Sequence, residues 1–373
     1  MKKRSWKHQL LTEKTLLATV DIGKNQNFGY YRCPDGRDVP AFRCSNCGEG
    51  FKKFYRRLLQ AMQQFDLTEV VVGFESTGPY AEPLMHFLRK RGVRLVQVSP
   101  AHVKRVKEVT DNSPNKTDKK DPTVIANVIE LGGALTVVIP EGAAAELRRL
   151  SQARERTLEH RNALHNQLHD LVFLVFPEFL RVFPKLTRKS ARTLLAEYST
   201  PTQLLKLPLE DLTQRLRRLS RGRWQRTHAE AIYHAAQESV GVVEGQQSLV
   251  FEIQHLLRQF EACEQFLAEV ETLMCSQLTH IPYSRFLRSL RGLGTITLAG
   301  LIGEVGDFNN FKTVAELLKY AGLNLFEISS GQRKGQRRIS KRGRPLLRKL
   351  LFLAALNMVR VGGRYARVLS TLC

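Results

Sequence analysis

The sequence predicts an α/β domain over residues 1–140, an all-α coiled-coil region over 141–280 and a mainly α unit over 281–373. Three observations lead there. Short apolar runs bounded by turn residues alternate with helical spacings in the first third. Apolar residues then keep a strict heptad through a long polar stretch. The last quarter concentrates positive charge, with 17 Lys/Arg against 4 Asp/Glu.

The elements follow in order. Leu16–Val20 is a short apolar strand ending at Asp21. Asn27–Arg32 and Val39–Arg43 read as two further strands around a Pro34-Asp35-Gly36 turn. Phe51–Phe65 has helical spacing, and Glu69–Phe74 is a buried strand ending at Glu75. Tyr80–Arg91 is a helix closed by Gly92, and Val93–Val98 is another strand. Three antiparallel strands followed by helix, strand, helix and strand is the element order of an RNase H-like fold.

In the middle region, Leu249, Ile253, Leu256, Phe260, Cys263, Leu267, Val270 and Met274 alternate spacings of four and three. A weaker seam runs through Leu147, Leu150, Leu164, Leu168 and Leu171, interrupted by Arg154 and Arg161. The two helices pair with each other or across subunits, and heptads do not decide between these. The middle is expected to hold a homo-oligomer, a dimer or tetramer, together. Between them Thr200-Pro201-Thr202-Gln203 forms a capping box. The same insert carries Arg215, Arg217, Arg218, Arg221, Arg223 and Arg226, either a solvated face or a nucleic-acid contact.

A net charge of +23 on 373 residues points to a polyanionic partner, most simply nucleic acid. Glu13 and Lys14 interrupt the N-terminal apolar run before a signal-type segment forms, and Leu350–Val359 is too short to span a bilayer. The expectation is a soluble protein of the bacterial cytoplasm and nucleoid, with no membrane partner. Six cysteines without framework spacing fit a reducing compartment. Cys33, Cys44 and Cys47 include a CxxC knuckle, but a zinc site needs a fourth ligand and no local residue supplies it.

Three constellations carry chemistry. Asp21 and Glu75 end apolar strands, and Asp118 and Asp121, three apart, start a helix. Four clustered carboxylates repel unless cations intervene, and hard oxygen donors suit Mg2+ or Mn2+. Taken singly, Asp121 before Pro122 could be only an N-cap and Asp118 only surface charge. Ser329-Ser330-Gly331 opens a run whose basic residues include Arg333, Lys334, Arg337, Arg338, Lys341, Arg342 and Arg344. From Arg333 to Lys349 there are nine basic residues and no acid. Arginines there would stabilise charge developing at a phosphate as a serine attacks it, although a Ser-Ser-Gly turn is often only a turn. Gly292 and Gly294 precede an apolar helix, either exposing N–H groups to a DNA backbone or making a plain interhelical turn.

Val20-Asp21-Ile22-Gly23, Phe74-Glu75-Ser76-Thr77-Gly78 and Lys116 to Asp121 resemble the acidic motifs of the DEDD insertion-sequence transposases, the family numbered one hundred and ten, now known as bridge-RNA-guided recombinases. Arg291-Gly292-Leu293-Gly294, Tyr320-Ala321-Gly322-Leu323 and Ile339 to Gly343 resemble that family's C-terminal transposase domain. The resemblance implies a RuvC-like N-terminal domain and a metal site of Asp21, Glu75, Asp118 and Asp121. It also implies a nucleophilic serine at Ser330, with Ser329 the neighbour that a one-residue shift would select. The family's active site is composite, one subunit's carboxylates meeting another's serine. The resemblance further implies a structured guide RNA that pairs with donor and target DNA. Pro122 stands where the family often has Ala, and Asn324-Leu325 where a Pro is common.

Three other functions compete. A junction-type, metal-dependent endonuclease would hydrolyse DNA with the carboxylates alone. An actin-like small-molecule kinase would share Asp21-Ile22-Gly23, but no second phosphate loop is evident. A non-catalytic nucleic-acid-binding protein would have no need of the acidic and serine motifs.

Overall fold

The computed structural model describes residues 10–75, 78–110, 121–327, 335–361 and 366. It divides into two compact units, one of residues 1–139 with 307–348 and one of 140–306 with 349–373. The last ninety residues are thus shared between the units.

The first unit is built on a mixed six-stranded sheet. Its strands are β1 (Thr15–Ile22), β2 (Gln26–Arg32), β3 (Asp38–Ser45), β4 (Glu69–Glu75), β5 (Arg94–Val98) and β6 (Ala134–Thr136), in spatial order β3-β2-β1-β4-β5-β6. The first three are antiparallel meander neighbours, β4 and β5 run parallel to β1, and β6 returns antiparallel. Helix α1 (Gly48–Gln64) and helix α2 (Glu82–Arg89) link β3 to β4 and β4 to β5. Beyond β5 come α3 (Pro100–Thr110) and α4 (Asp121–Glu130). Helix α3 and strand β6 have no counterpart in the sequence reading.

Strand alternation divides the core. Leu16, Ala18, Val20, Val72 and Phe74 face α1, where Phe51, Phe54 and Leu58 close the cluster. Leu17, Val71 and Val96 face the other way, against Val124, Ile125, Val128 and Ile129 of α4. Gly73 sits under α4. A methyl there would meet the Ile129 side chain at 2.2 Å, so only glycine lets the helix lie this close.

The second unit is helical. Helix α5 (Gly142–Val175) is followed by α6 (Pro177–Val182), α7 (Lys189–Glu197), α8 (Pro201–Leu205), α9 (Leu209–Leu219), α10 (Arg226–Gln237), α11 (Gln246–Thr279), α12 (Ser284–Arg288) and α13 (Thr295–Val305). Leu147 packs with Val270, Met274 and Leu278, whereas Leu164, Leu168 and Val172 pack with Ile253, Leu256 and Phe260. The two long helices therefore run antiparallel, and the α11 seam is buried within its own chain. Arg154 and Arg161 interrupt the α5 seam because they pair with Glu271 (2.8 Å) and Glu264 (3.5 Å) of α11. The small helices wrap Phe176, Phe179, Phe183 and Trp224 against this pair. The capping box at Thr200 and Gln203 is formed in both directions. Among the described residues no helix is long and apolar enough to cross a membrane.

Helix α14 (Val314–Ala321) and the two-stranded hairpin of β7 (Leu325–Phe326) and β8 (Arg338–Ile339) belong to the first unit, and α15 (Pro345–Arg360) spans the division.

Candidate active site

Val20 and Phe74 are register partners of the parallel β1–β4 pair, so Asp21 and Glu75 follow side by side at the carboxyl ends of adjacent central strands. The pleat that turns Val20 and Phe74 toward α1 turns Asp21 and Glu75 toward α4. Asp121 is the first residue of α4. That helix start is tied down by fully buried Thr19, whose Oγ1 donates to the Pro122 carbonyl at 2.6 Å. The glycine at position 73 and this hydroxyl bring the third carboxylate to the strand ends.

The three acids share one electrostatic field. Burial foremost, and then the negative charges of Asp21 and Asp121, push the Glu75 carboxyl above its ordinary value, while Lys107 opposes them. Lys107 of α3 reaches this cluster directly, its Nζ 2.5 Å from Asp121 Oδ1. Sequence reasoning missed it because α3 carried no recognised motif. The only signal was the basic spacing Lys104, Arg105 and Lys107 just before the acidic segment.

The turn after Asp21 is braced by two asparagines. Buried Asn27 accepts from the Gly23 N–H at 3.2 Å and donates to Asn46 Oδ1 at 3.1 Å. Asn46 Nδ2 donates back to the Gly23 carbonyl at 2.9 Å and to the Tyr80 carbonyl at 3.2 Å. A concavity of about 320 Å3 opens here, lined by Asp21, Gly23, Gln26, Phe28 and Arg43.

All donors in the cluster are carboxylate oxygens, the set that Mg2+ or Mn2+ prefers. The crowding that raises Glu75 is what a divalent cation would relieve. Asp118, the remaining member of the expected set, lies outside the described residues. Among the described residues no group of three His, Cys, Asp or Glu side chains is arranged to hold a metal. Cys33 and Cys44 are buried in the apolar core, and Cys47 is exposed at the start of α1 with its Sγ 3.3 Å from Ser45 Oγ.

Ser329, Ser330, Arg333 and Lys334 also lie outside the described residues, but the stem that carries them does not. Strands β7 and β8 pair Leu325 with Ile339 and Phe326 with Arg338. Arg337 Nε donates to Glu327 at 3.0 Å, and Ser340 Oγ to Asn324 Oδ1 at 2.5 Å. Gly322, left-handed at φ 73°, ends α14. A methyl on Gly343 would meet the Gly322 nitrogen and the Tyr320 carbonyl at 2.4 Å. The two motifs that begin and end this stem are thus packed backbone to backbone. Arg338, Lys341 and Arg342 are exposed. His102 is pushed below its ordinary value by burial first and then by Arg342, Arg105 and Lys319, which puts Arg342 in electrostatic reach of α3. The Arg344 N–H donates to the Tyr320 carbonyl at 2.9 Å.

In the second unit, Gly292 lies against the backbone of α15, where a methyl would meet Met358 Cα at 2.7 Å. Gly294 is the N-cap of α13 and has open space around its Cα. Of the arginines in the insert, Arg226 is engaged by Glu230 at 2.9 Å and Arg215 pairs with Glu197, while Arg217, Arg218, Arg221 and Arg223 are exposed.

Comparison with known proteins gives the class. Residues 18–177 match a family model described as a transposase, of the DEDD kind found in IS110. Residues 284–369 match the model for the transposase IS116/IS110/IS902 family. The chain thus carries matches to both transposase domains of the IS110/IS116 family, one toward each end. It is 25% identical over 339 residues to an insertion element IS110 uncharacterized 43.6 kDa protein of Streptomyces coelicolor, covering 90% of this chain and 82% of the relative. It is 26% identical over 296 residues to an insertion element IS116 uncharacterized 44.8 kDa protein of Streptomyces clavuligerus, covering 79% and 74%. A solved structure of the Ppx/GppA family member of Aquifex aeolicus overlaps 68% of this chain and 98% of its own at 11% identity. Its TM-score of 0.19 is too low to bear on fold or function.

Proposed function

We propose that this chain is a transposase, a recombinase that cuts and rejoins DNA strands through a serine nucleophile with metal assistance, directed by a structured guide RNA. The observation that carries the catalytic half is the joint field of Asp21, Glu75 and Asp121, which raises Glu75 at the ends of two adjacent parallel strands. Three antiparallel strands continued by two parallel ones support a RuvC/RNase H-like domain over residues 1–140. The 141–280 helical region and the 281–373 transposase domain complete the proposed organisation.

Asp21, Glu75, Asp118 and Asp121 would hold Mg2+ or Mn2+, whose contribution is to orient a phosphodiester and offset its charge. Ser330 attacks phosphorus, its Oγ–P bond replacing the bond to the departing strand. The phosphodiester energy is conserved in the phosphoserine, so rejoining needs no ATP. Arg333, Lys334, Arg337, Arg338, Lys341, Arg342 and Arg344 neutralise phosphate charge around it. Gly292 and Gly294 contribute backbone contacts to DNA. Specificity for donor and target comes from base pairing with the RNA. Subunits assemble so that the carboxylates of one meet the serine of another.

A suicide DNA substrate tests this. Wild-type protein with Mg2+ should form a covalent adduct on a denaturing gel, mapped by mass spectrometry to Ser330. Ser330→Ala should bind DNA and RNA normally and form none. An adduct at Ser329 or Ser340 would move the nucleophile within the same mechanism. Hydrolysed ends without an adduct would replace it with the metal-dependent endonuclease.

A further inference from the structure

Asp21 has a cross-strand neighbour with no role in the site so far. In the antiparallel register Asp21 lies opposite Phe28 of β2, and Phe28 lies opposite Arg43 of β3. Register partners share a sheet face, so the three form one row across three strands. Two strand spacings separate its ends, roughly 10 Å. Strand β3 is the edge of the sheet, where this row opens to solvent.

The cations along this edge differ in what engages them. Arg32 is bound by Asp38 at 3.0 Å and Glu130 at 2.8 Å, and Arg37 by Asp35 at 2.5 Å. Arg43 is exposed and forms no ion pair among the described residues. Its guanidinium lies over the Phe28 ring, 5.2 Å from the centroid, which keeps the side chain in the row. The concavity at Asp21 includes Arg43 and Gln26. A second one, of about 250 Å3, shares both residues and continues past Ser45 and Glu49 to Lys53. The two make one groove with a carboxylate at one end and two cations against a single acid beyond it.

We propose that this groove binds the backbone of a DNA strand, Arg43 holding a phosphate that neighbours the one at the carboxylates and Lys53 the next along. This rests on the reading of Asp21 as part of a DNA-processing site and adds to it the path of the strand. A planar guanidinium suits bidentate contact with a phosphate, and a row of fixed length would set which phosphodiester reaches the acids. Gln26, at the junction of the two concavities, offers an uncharged donor to the same backbone.

The experiment is DNA binding by the full-length protein across a salt series, using a labelled duplex and a labelled single strand. Arg43→Ala should flatten the slope of log affinity on log salt by about 0.9 for the duplex or about 0.7 for the single strand, and Arg43→Ala with Lys53→Gln by about twice that. Arg43→Lys should keep the slope. Ethylation of the phosphate adjoining the scissile one should block wild-type binding and no longer matter to Arg43→Ala. A wild-type slope in the double variant would overturn the proposal, as would equal flattening by Arg43→Lys. A loss confined to guide-RNA retention would overturn it too, assigning the groove to RNA. Wild-type protein that does not bind DNA at all would instead remove the functional reading beneath it.

Discussion

Thr19→Val is the sharpest perturbation of the site that touches none of its charges. Thr19 is fully buried, and its hydroxyl donates to the Pro122 carbonyl at 2.6 Å, binding the start of α4 to β1 two residues before Asp21. Valine preserves shape and volume. The Pro122 carbonyl also lies inside α4, where the N–H four residues on donates to it, so the change removes one neutral hydrogen bond without orphaning a group. The expected cost is about 0.5–1.5 kcal/mol. For a unit of this size that is roughly 1–6 °C in Tm. Function should suffer more than stability, because Asp121 loses its tether to the strand that carries Asp21. The assay pairs thermal melting with strand-exchange activity titrated against Mg2+. Thr19→Val should need more Mg2+ for half-maximal activity, and Thr19→Ser, which keeps the hydroxyl, should restore the wild-type requirement. If Thr19→Val melts lower but keeps the wild-type Mg2+ dependence, the hydroxyl is merely structural and the positioning argument fails.

Two further outcomes follow from the same geometry. Glu75 has a higher proton affinity folded than unfolded, so its ionised form costs stability as pH rises through the folded value. Glu75→Gln should therefore raise Tm in EDTA at neutral pH, lose that advantage on acidification below the ordinary carboxylate range, and abolish strand exchange. Equal melting of the two proteins at neutral pH would show that the acids do not share one field. Leu256→Ala and Leu267→Ala empty buried positions between α11 and α5 of one chain, and each should cost about 2–5 kcal/mol in denaturant titrations. Light scattering should show unchanged oligomeric mass at low denaturant. A fall in mass before helix content falls would mean that the seam also joins subunits.

Local rules made much of the first unit legible. Short apolar runs bounded by turn residues placed β1 to β5 within a few residues, and β1 and β4 read as unbroken apolar runs because a central strand is buried on both faces. The acids were visible because a carboxylate ending such a strand has no structural reason to be there. The heptad of α11 was equally plain, since its period is written in one element. Other features depend on residues far apart in sequence. Gly73 reads as a flaw in a strand until α4 is seen to rest on it, and Thr19 as an ordinary strand residue until it meets Pro122, 103 positions away. Lys107 belongs to the site only because α3 delivers it to Asp121. Arg154 and Arg161 look like faults in a seam until Glu271 and Glu264 come opposite them. The heptad determined that α11 must bury one face. Only the tertiary structure decided that the partner is α5 of the same chain, because complementary charges and buried leucines depend on how the chain returns on itself, which no period within one helix records.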